Sequence, residues 1–253
     1  MKYIRAFYLI FTFLLLNHHV FSQKSQLDSS LRFSIVGVSY GYQVSGNDLQ
    51  KRFGNNSSIG VEYMMKTKNN WLLGYRFNFL FGNNVKEDSL FKKISTNEGY
   101  IITKNGQYAD VRLYERGFET GLKLGRLFPT NFPNKNSGIM AMVGVGFLEH
   151  KIRIENIGND AIQLNKDYRK GYDRLTNGLQ TSQFIGYLYM DNRKYLNFFA
   201  GVELSQGFTQ NRRDFNFDTR TKDTSKRLDA LTSFRVGFIL PLFSRISDEF
   251  YYR

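Results

Sequence analysis

The stretch Trp71–Gly82 reads WLLGYRFNFLFG, and its side chains alternate between two unlike rows. One row, from Trp71 to Phe81, is entirely large and apolar or aromatic. The other row combines Arg76 and Asn78 with two leucines and two glycines. A period of two residues predicts a β-strand with two different faces. The fold must therefore accept bulky apolar groups on one face of this strand and small or polar groups on the other.

The composition is compatible with a soluble β-protein and equally with a membrane β-barrel. The chain has 253 residues, a mean hydropathy of −0.41, and 24 Phe and 16 Tyr. After residue 22, no segment approaches the length of a membrane helix, which requires about 18 or more consecutive apolar residues. A barrel exposes only every second strand residue to lipid, so a polar average does not exclude it.

The first 22 residues have the pattern of a secretory signal peptide. Lys2 and Arg5 precede an apolar run over residues 6–16, and cleavage is expected between Ser22 and Gln23. The alternative, a membrane-anchor helix, is disfavoured because the run is too short. The chain contains no cysteine, which excludes a lipoprotein anchor. Export remains possible, because a barrel closed by backbone hydrogen bonds requires no disulfides.

The alternation of Trp71–Gly82 recurs along the chain and predicts eight strands in total. The predicted strands are Val36–Tyr42, Ile59–Met65, Trp71–Gly82, Phe118–Gly125, Ile139–Phe147, Phe184–Tyr189, Leu196–Ser205 and Ser233–Leu240. Such strands are expected to span about ten residues, the length that crosses an apolar layer when tilted.

The connections between the predicted strands alternate between short and long. The short connections are residues 66–70, 129–137 and 191–194, and the long ones are residues 45–57, 83–110, 155–177 and 209–228. In an up-and-down antiparallel barrel, this order places every short turn at one end and every long loop at the other. Bacterial outer-membrane barrels have short periplasmic turns and long outside loops.

The sequence therefore predicts an all-β fold, a closed antiparallel up-and-down transmembrane β-barrel of eight strands. Residues 1–22 are the expected signal peptide, residues 23–253 the barrel, and residues 244–253 a periplasmic tail. The aromatic row would face lipid, and the row with Arg76 would face a lumen just wide enough for side chains. Two alternatives remain: an exported soluble sandwich, and a ten-stranded barrel with extra strands within residues 83–110.

Six charged side chains share the inward parity, and charges in a tight interior must be paired. They are Glu62, Arg76, Glu119, Lys123, Glu203 and Arg235. Folding the chain about its short turns places Glu62 diagonal to Arg76, and folding the last two strands together places Glu203 nearly opposite Arg235. We interpret the six as structural ion pairs. Acids placed among bases do not match the paired carboxylates of a glycosidase, and a filled lumen admits no substrate.

The residue types argue against an enzyme. The mature chain has a single histidine, His150, with no neighbouring serine, whereas a lipid-modifying barrel enzyme needs a base beside its nucleophile. One histidine and no cysteine leave only an all-carboxylate calcium site as a metal centre. No catalytic site, cofactor or metal is therefore predicted.

Charge and aromatic content indicate a binding surface. Removal of Lys2 and Arg5 with the signal peptide takes the net charge from +13 to about +11. Nucleic acid is remote from an outer membrane, so lipopolysaccharide headgroups or an acidic envelope protein are the expected partners. The long loops mix arginines with aromatic residues, as docking surfaces do. The candidate partner-binding residues are Arg212, Arg213, Phe215, Phe217, Arg220, Tyr168 and Tyr172.

The signal peptide ending in FSQ, the eight alternating strands and the aromatic tail after LPLF resemble the small outer-membrane β-barrels of Bacteroidota. The architecture is similar to OmpX-like barrels and to the OmpA transmembrane domain, and the resemblance rests on pattern without a functional motif. It implies an outer-membrane location and membership of an envelope complex, such as a secretion or barrel-assembly machinery. The expected function is a non-enzymatic structural or partner-binding subunit. The alternatives are a passive small-solute conduit and a lipid-modifying barrel enzyme.

Overall fold

A computed structural model describes residues 30–130, 132–158, 160–192 and 195–242. Eight antiparallel strands follow one another in chain order and close into a barrel, in which the first strand pairs with the last. The predicted all-β fold, a closed antiparallel up-and-down barrel of eight strands, is confirmed. The strands are β1 Phe33–Gly46, β2 Asn56–Lys66, β3 Trp71–Gly82, β4 Val111–Pro129, β5 Gly138–Asn156, β6 Thr176–Met190, β7 Asn197–Asn211 and β8 Lys226–Leu242. The predicted signal peptide and tail lie outside the described residues.

Every predicted segment falls within a strand to within one residue, but the strands are longer than predicted. β4 and β5 each have 19 residues, and β4 begins at Val111 instead of Phe118 because its first residues pair with the end of β5. Residues 83–110 form turns and isolated bridges but no strand. The ten-stranded alternative is therefore wrong.

The two rows of Trp71–Gly82 lie on opposite sides of the barrel wall. Exposed and buried residues alternate along β3: Phe77 is 41% exposed, whereas Asn78 is 1% exposed. The aromatic row thus faces outward, and the row with Arg76 faces the lumen.

Facing glycines make room for large inward side chains. Gly186 of β6 lies directly opposite Gly201 of β7, and a Cβ atom on either would come within 2.7 Å of the Phe184 ring. Phe184 is buried. The inward rows are small at this level because an eight-stranded lumen has space for few bulky groups.

The interior is arranged in three layers. An apolar cluster fills the short-turn end, and its members are Phe33, Ile35, Met64, Leu72, Leu127, Met140, Met142, Phe184, Leu188, Met190, Phe199 and Ile239. The six charged side chains occupy the middle. A second apolar cluster lies at the long-loop end and includes Leu49, Phe53, Leu90, Leu164 and Tyr172.

The second cluster is covered by the described residues of the four long loops, which we call the cap: residues 47–55, 83–110, 157–175 without residue 159, and 212–225. The cap contains helix α1 (Asn47–Arg52) and two short 3-10 helices, Ile162–Leu164 and Tyr168–Gly171. Backbone hydrogen bonds join the loops, for example from Gly54 N to Asn84 O at 2.8 Å and from Phe217 N to Gly171 O at 3.0 Å. None of the helices in the described residues is long and apolar enough to span a membrane.

Candidate functional site

Glu203 lies at the centre of the charged layer. Its carboxylate accepts hydrogen bonds from Arg76, from Lys123 Nζ at 2.5 Å and from Arg235 Nη1 at 2.9 Å. Glu203 is 1% exposed. Three cations on three different strands therefore converge on one carboxylate.

The other two acids complete the layer. Arg235 Nη2 donates to Glu62 Oε1 at 2.7 Å and to Ser39 Oγ at 2.9 Å. Arg76 Nη2 donates to Glu119 Oε2 at 3.4 Å. All six predicted residues thus belong to one connected set of three acids and three bases, which satisfies the requirement that buried charges be paired.

The pairing differs from the predicted register. Glu62 lies directly opposite Arg76 instead of diagonally, yet its ion pair is with Arg235 on β8. Arg235 lies opposite Gly201, so Glu203 is diagonal to it instead of nearly opposite. In so narrow a lumen, a long side chain can reach past the adjacent strand, so pairing does not follow the strand neighbours alone.

The charged layer rests on the apolar cluster of the short-turn end. The Arg235 guanidinium lies 5.6 Å from the centre of the Phe199 ring, and Lys123 Nζ lies 5.6 Å from that of Phe184. A cavity of about 10 Å³ beside Arg76, Lys123 and Gln180 has room for about one water molecule. These two layers and the second apolar cluster above them fill the lumen.

His150 has a partner that the sequence did not reveal. Its Nε2 lies 2.9 Å from Asp229 Oδ2, which also accepts a hydrogen bond from Thr209 Oγ1 at 2.5 Å. Both His150 and Asp229 are 1% exposed. The Thr209 hydroxyl faces the carboxylate instead of the imidazole, so it is not placed as a nucleophile activated by the histidine. Within the described residues, no three His, Cys, Asp or Glu side chains are grouped to hold a metal ion.

A chain of ion pairs crosses the cap and links all four of its loops. Arg52 Nε donates to Glu87 Oε1 at 3.0 Å, Glu87 Oε2 lies 3.7 Å from Arg174 Nη2, and Arg174 binds Asp218. Arg52 also donates to Thr176 Oγ1 at 3.0 Å, and burial lowers the pKa of its guanidinium. The sequence carried no signal for this chain, because its four members come from four separate loops.

Three of the seven predicted partner-binding residues hold the cap together instead of facing outward. Tyr172 is 5% exposed, and its ring packs edge-on against Phe217 with centres 5.4 Å apart. Arg213 binds Asp173, and this hydrogen bond raises the pKa of Arg213. Loop aromatics pack together here because the loops need an apolar core of their own to stay folded.

The other four predicted residues remain on the cap surface. Tyr168 and Phe215 are exposed, and so are Arg212 and Arg220. The Tyr168 ring lies 6.1 Å from Phe217, and Phe217 lies 6.0 Å from Phe215, so the exposed rings are supported from below.

A groove of about 590 Å³ opens on the outward side of the barrel, at the long-loop end of β1 to β4. Its lining includes Tyr42, Asn55, Phe81, Asn84, Tyr114 and Arg116. Arg116 Nη1 donates to the backbone carbonyls of Glu115 at 2.6 Å and Gly82 at 3.4 Å. No carboxylate of the described residues lies within ion-pair distance of Arg116. The sequence carried no signal for this groove.

The described residues thus define a closed eight-stranded β-barrel with a filled lumen and a folded cap.

No known protein family matches the sequence, and no curated protein matches it either. One similar solved structure is that of Ail, the attachment invasion locus protein of Yersinia pestis, in complex with the heparin analogue sucrose octasulfate. It has 10% sequence identity and a TM-score of 0.40, and the match covers 83% of this chain and 99% of that chain. Neisserial surface protein A is similar with 11% identity and a TM-score of 0.41, covering 82% of this chain and 96% of that chain.

Proposed function

We propose that this chain is an outer-membrane β-barrel that binds an envelope partner through its cap and catalyses no reaction. The membrane location is supported by the outward face of the barrel, which carries exposed apolar residues on every strand. One from each strand, in order, is Val38, Ile59, Phe77, Leu122, Val143, Ile185, Leu204 and Phe234. An apolar surface this continuous is unfavourable in water. A bilayer accommodates it, and a closed barrel leaves no strand edge unpaired in lipid.

The orientation and route of export follow from the same proposal. The short turns would lie in the periplasm and the cap outside the cell, as in bacterial outer-membrane barrels. Residues 1–22 would direct export and be removed by cleavage.

The observation that carries the binding function is the folded cap. Its apolar cluster and its ion-pair chain from Arg52 to Asp218 hold four loops in one arrangement. An ordered surface loses less conformational entropy when it binds than flexible loops do. Tyr168, Phe215, Arg212 and Arg220 are presented on this surface, and aromatic and arginine side chains are enriched in binding surfaces.

Affinity purification from membranes in mild detergent tests the proposal. The wild-type chain is expected to retain an envelope protein in fixed proportion, and the double variant Tyr168→Ala with Phe215→Ala is expected to lose it. Phe128→Ala is the matched control, because Phe128 is equally exposed, at 51%, but lies at the short-turn end. Retention of the same protein by the double variant would contradict binding through the cap.

The rival functions make different predictions. A passive conduit requires an open lumen, so the filled lumen predicts no single-channel conductance in planar bilayers, and step-like currents would favour the conduit. A lipid-modifying enzyme requires a histidine beside its nucleophile, whereas the Thr209 hydroxyl near His150 donates to Asp229 and not to the imidazole.

The groove beside Arg116 favours lipopolysaccharide as an additional ligand. It combines a guanidinium without a carboxylate partner in the described residues, amide side chains and aromatic rings, which suit the phosphates, hydroxyls and acyl chains of such a lipid. Arg116→Ala is expected to weaken binding of purified lipopolysaccharide to the barrel in detergent. Arg112→Ala is the control, because Arg112 is exposed on the same strand and is paired with Asp110. Equal effects of the two changes would contradict a specific site.

A further inference from the structure

A polar patch interrupts the apolar outward face on β6 and β7. Thr181, Gln183 and Gln206 all point outward, since the residues before and after each of them in the strand are buried. The two glutamines exchange hydrogen bonds, from Gln183 Nε2 to Gln206 Oε1 and from Gln206 Nε2 to Gln183 Oε1, both at 3.2 Å. Thr181 Oγ1 donates to Gln206 Oε1 at 3.1 Å.

The patch lies at the mid-height of the apolar band. Gln183 is opposite Leu204 of β7 and Val143 of β5, and Leu204 follows Glu203, the centre of the charged layer. Exposed apolar residues continue on both sides of it along β6, at Leu179 and Ile185. If the barrel spans a membrane, the patch therefore lies in the hydrocarbon and not at a headgroup.

Amides in hydrocarbon are costly unless their hydrogen-bonding groups are satisfied. A glutamine amide has two N–H donors and an oxygen with two lone pairs. Among the described residues, each of the two amides donates a single hydrogen bond, and Gln183 Oε1 accepts only one. The patch therefore keeps two N–H donors and one acceptor position that have no partner among the described residues.

Several side chains around the patch are small. These are Val143, Ala200, Val202, Ala230 and Thr232 on the outward face. Larger neighbours are Leu204 and Ile185 beside Gln183, and Phe208 beside Gln206. The opposite wall is crowded with rings at the same height, and these include Tyr40, Tyr63, Tyr75, Phe77 and Phe79. In membranes, small residues allow close approach and polar residues supply interchain hydrogen bonds, the combination found at protein contacts within lipid.

We propose that this face is a dimer interface within the membrane and that its occupant is a second copy of this chain, an inference that rests on the proposed membrane location. Because the patch carries both hydrogen-bond donors and acceptors, the patches of two copies can hydrogen-bond to each other. A two-fold axis beside Leu204 would pair Gln183 of one copy with Gln206 of the other, the self-matching geometry of a two-fold dimer. The patch contains no charged side chain, so it does not favour a partner of opposite charge.

Cysteine cross-linking in lipid vesicles tests the dimer, since the natural chain has no cysteine. Leu204→Cys places a thiol beside the patch. Val61→Cys places one on the opposite wall at comparable exposure, 54% against 46% for Leu204. Oxidation is expected to produce disulfide-linked dimers mainly from Leu204→Cys. Equal yields from the two positions, or no dimer from Leu204→Cys, would overturn the proposal.

A second set of variants tests the role of the amides. Gln183→Leu with Gln206→Leu, added to Leu204→Cys, is expected to weaken the dimer by about tenfold, because interchain hydrogen bonds in membranes are individually modest. The control is Thr120→Val with Tyr75→Phe, which removes an outward hydrogen bond of 2.8 Å from the opposite wall and should leave the yield unchanged. An unchanged yield in the glutamine variant would overturn the assignment of the patch.

The same samples separate failure of the dimer from failure of the membrane proposal. Each variant is run unheated on a gel, where a folded barrel migrates differently from the heated chain. Folded but monomeric protein overturns only the dimer. Protein that never folds into vesicles overturns the membrane location and the dimer together. Cross-linking of Leu204→Cys to a different protein in native membranes, without self-cross-linking, would replace the second copy by that partner.

Discussion

Glu203 is the residue that binds all three bases of the charged layer. It binds Arg76, Lys123 and Arg235, whereas Glu62 binds Arg235 alone. Removing a member of a buried ion pair leaves its partner charged and desolvated, which is more costly than the pair itself is favourable. The loss of folding stability caused by a substitution should therefore rise with the number of charged partners that it leaves unpaired.

Glu203→Gln is accordingly expected to destabilise the barrel by at least about 3–5 kcal/mol, the cost of breaking a buried pair. Glu62→Gln should cost less. It removes one ionic partner of Arg235, and Arg235 keeps its hydrogen bond to Glu203. The measurement is the free energy of unfolding by denaturant in lipid vesicles. Equal losses for the two variants would show that the layer does not centre on Glu203.

A substitution at Phe77 tests whether the outward row of β3 faces lipid. In the proposed membrane location, Phe77→Arg would place a charge near the middle of the bilayer and should cost about 2–4 kcal/mol. Phe77→Leu keeps the position apolar and is the control. Unfolding in vesicles is again measured. An arginine variant as stable as the leucine variant would mean that Phe77 does not face lipid.

At the scale of elements, the cap is a folded unit built from loops. Arg174 is central to it, because it contacts Glu87 in one neighbouring loop and Asp218 in another. It also has a positive φ of 51°, a conformation that is unfavourable for a residue other than glycine and persists only where its surroundings hold it. The ion pairs of Arg174 thus hold the loops together and stabilise a strained backbone.

Arg174→Met is expected to open the cap without unfolding the barrel. Hydrogen exchange should rise across residues 157–175 and 212–225, while amides within the strands stay protected. Lys166→Met is the control, since Lys166 is exposed on the same loop. Loss of protection throughout the strands would show that cap and barrel do not open separately.

At the scale of the whole molecule, the proposed topology places all short turns on one side of the membrane and the cap on the other. Lys68 lies in the turn between β2 and β3, and Asp167 lies on the cap with its side chain 86% exposed. A membrane-impermeant thiol reagent can distinguish the two sides in a chain that has no cysteine of its own.

In intact cells, Asp167→Cys should react with such a reagent and Lys68→Cys should not, because the turn would lie in the periplasm. Both should react once the outer membrane is permeabilised. Labelling of Lys68→Cys in intact cells would invert the topology.

Much of the architecture could be predicted from the sequence because it depends on local properties. The two-residue period of segments such as Trp71–Gly82 identified the strands and their outward rows, and the alternation of short and long connections identified the up-and-down order. Inward parity also selected the six charges of the lumen. The lengths of β4 and β5 were underestimated, because pairing beyond the apolar band depends on the partner strand and not on the period.

Which of these residues come into contact depends on the tertiary structure. Glu62 binds Arg235 across β1, His150 binds Asp229, and Arg174 connects loops far apart in the chain. These contacts depend on how the barrel closes and on long side chains that reach across a narrow lumen or between loops. Periodicity within one strand carries no information about such distances, so the sequence determined the wall of this barrel and the fold determined its interior contacts and its cap.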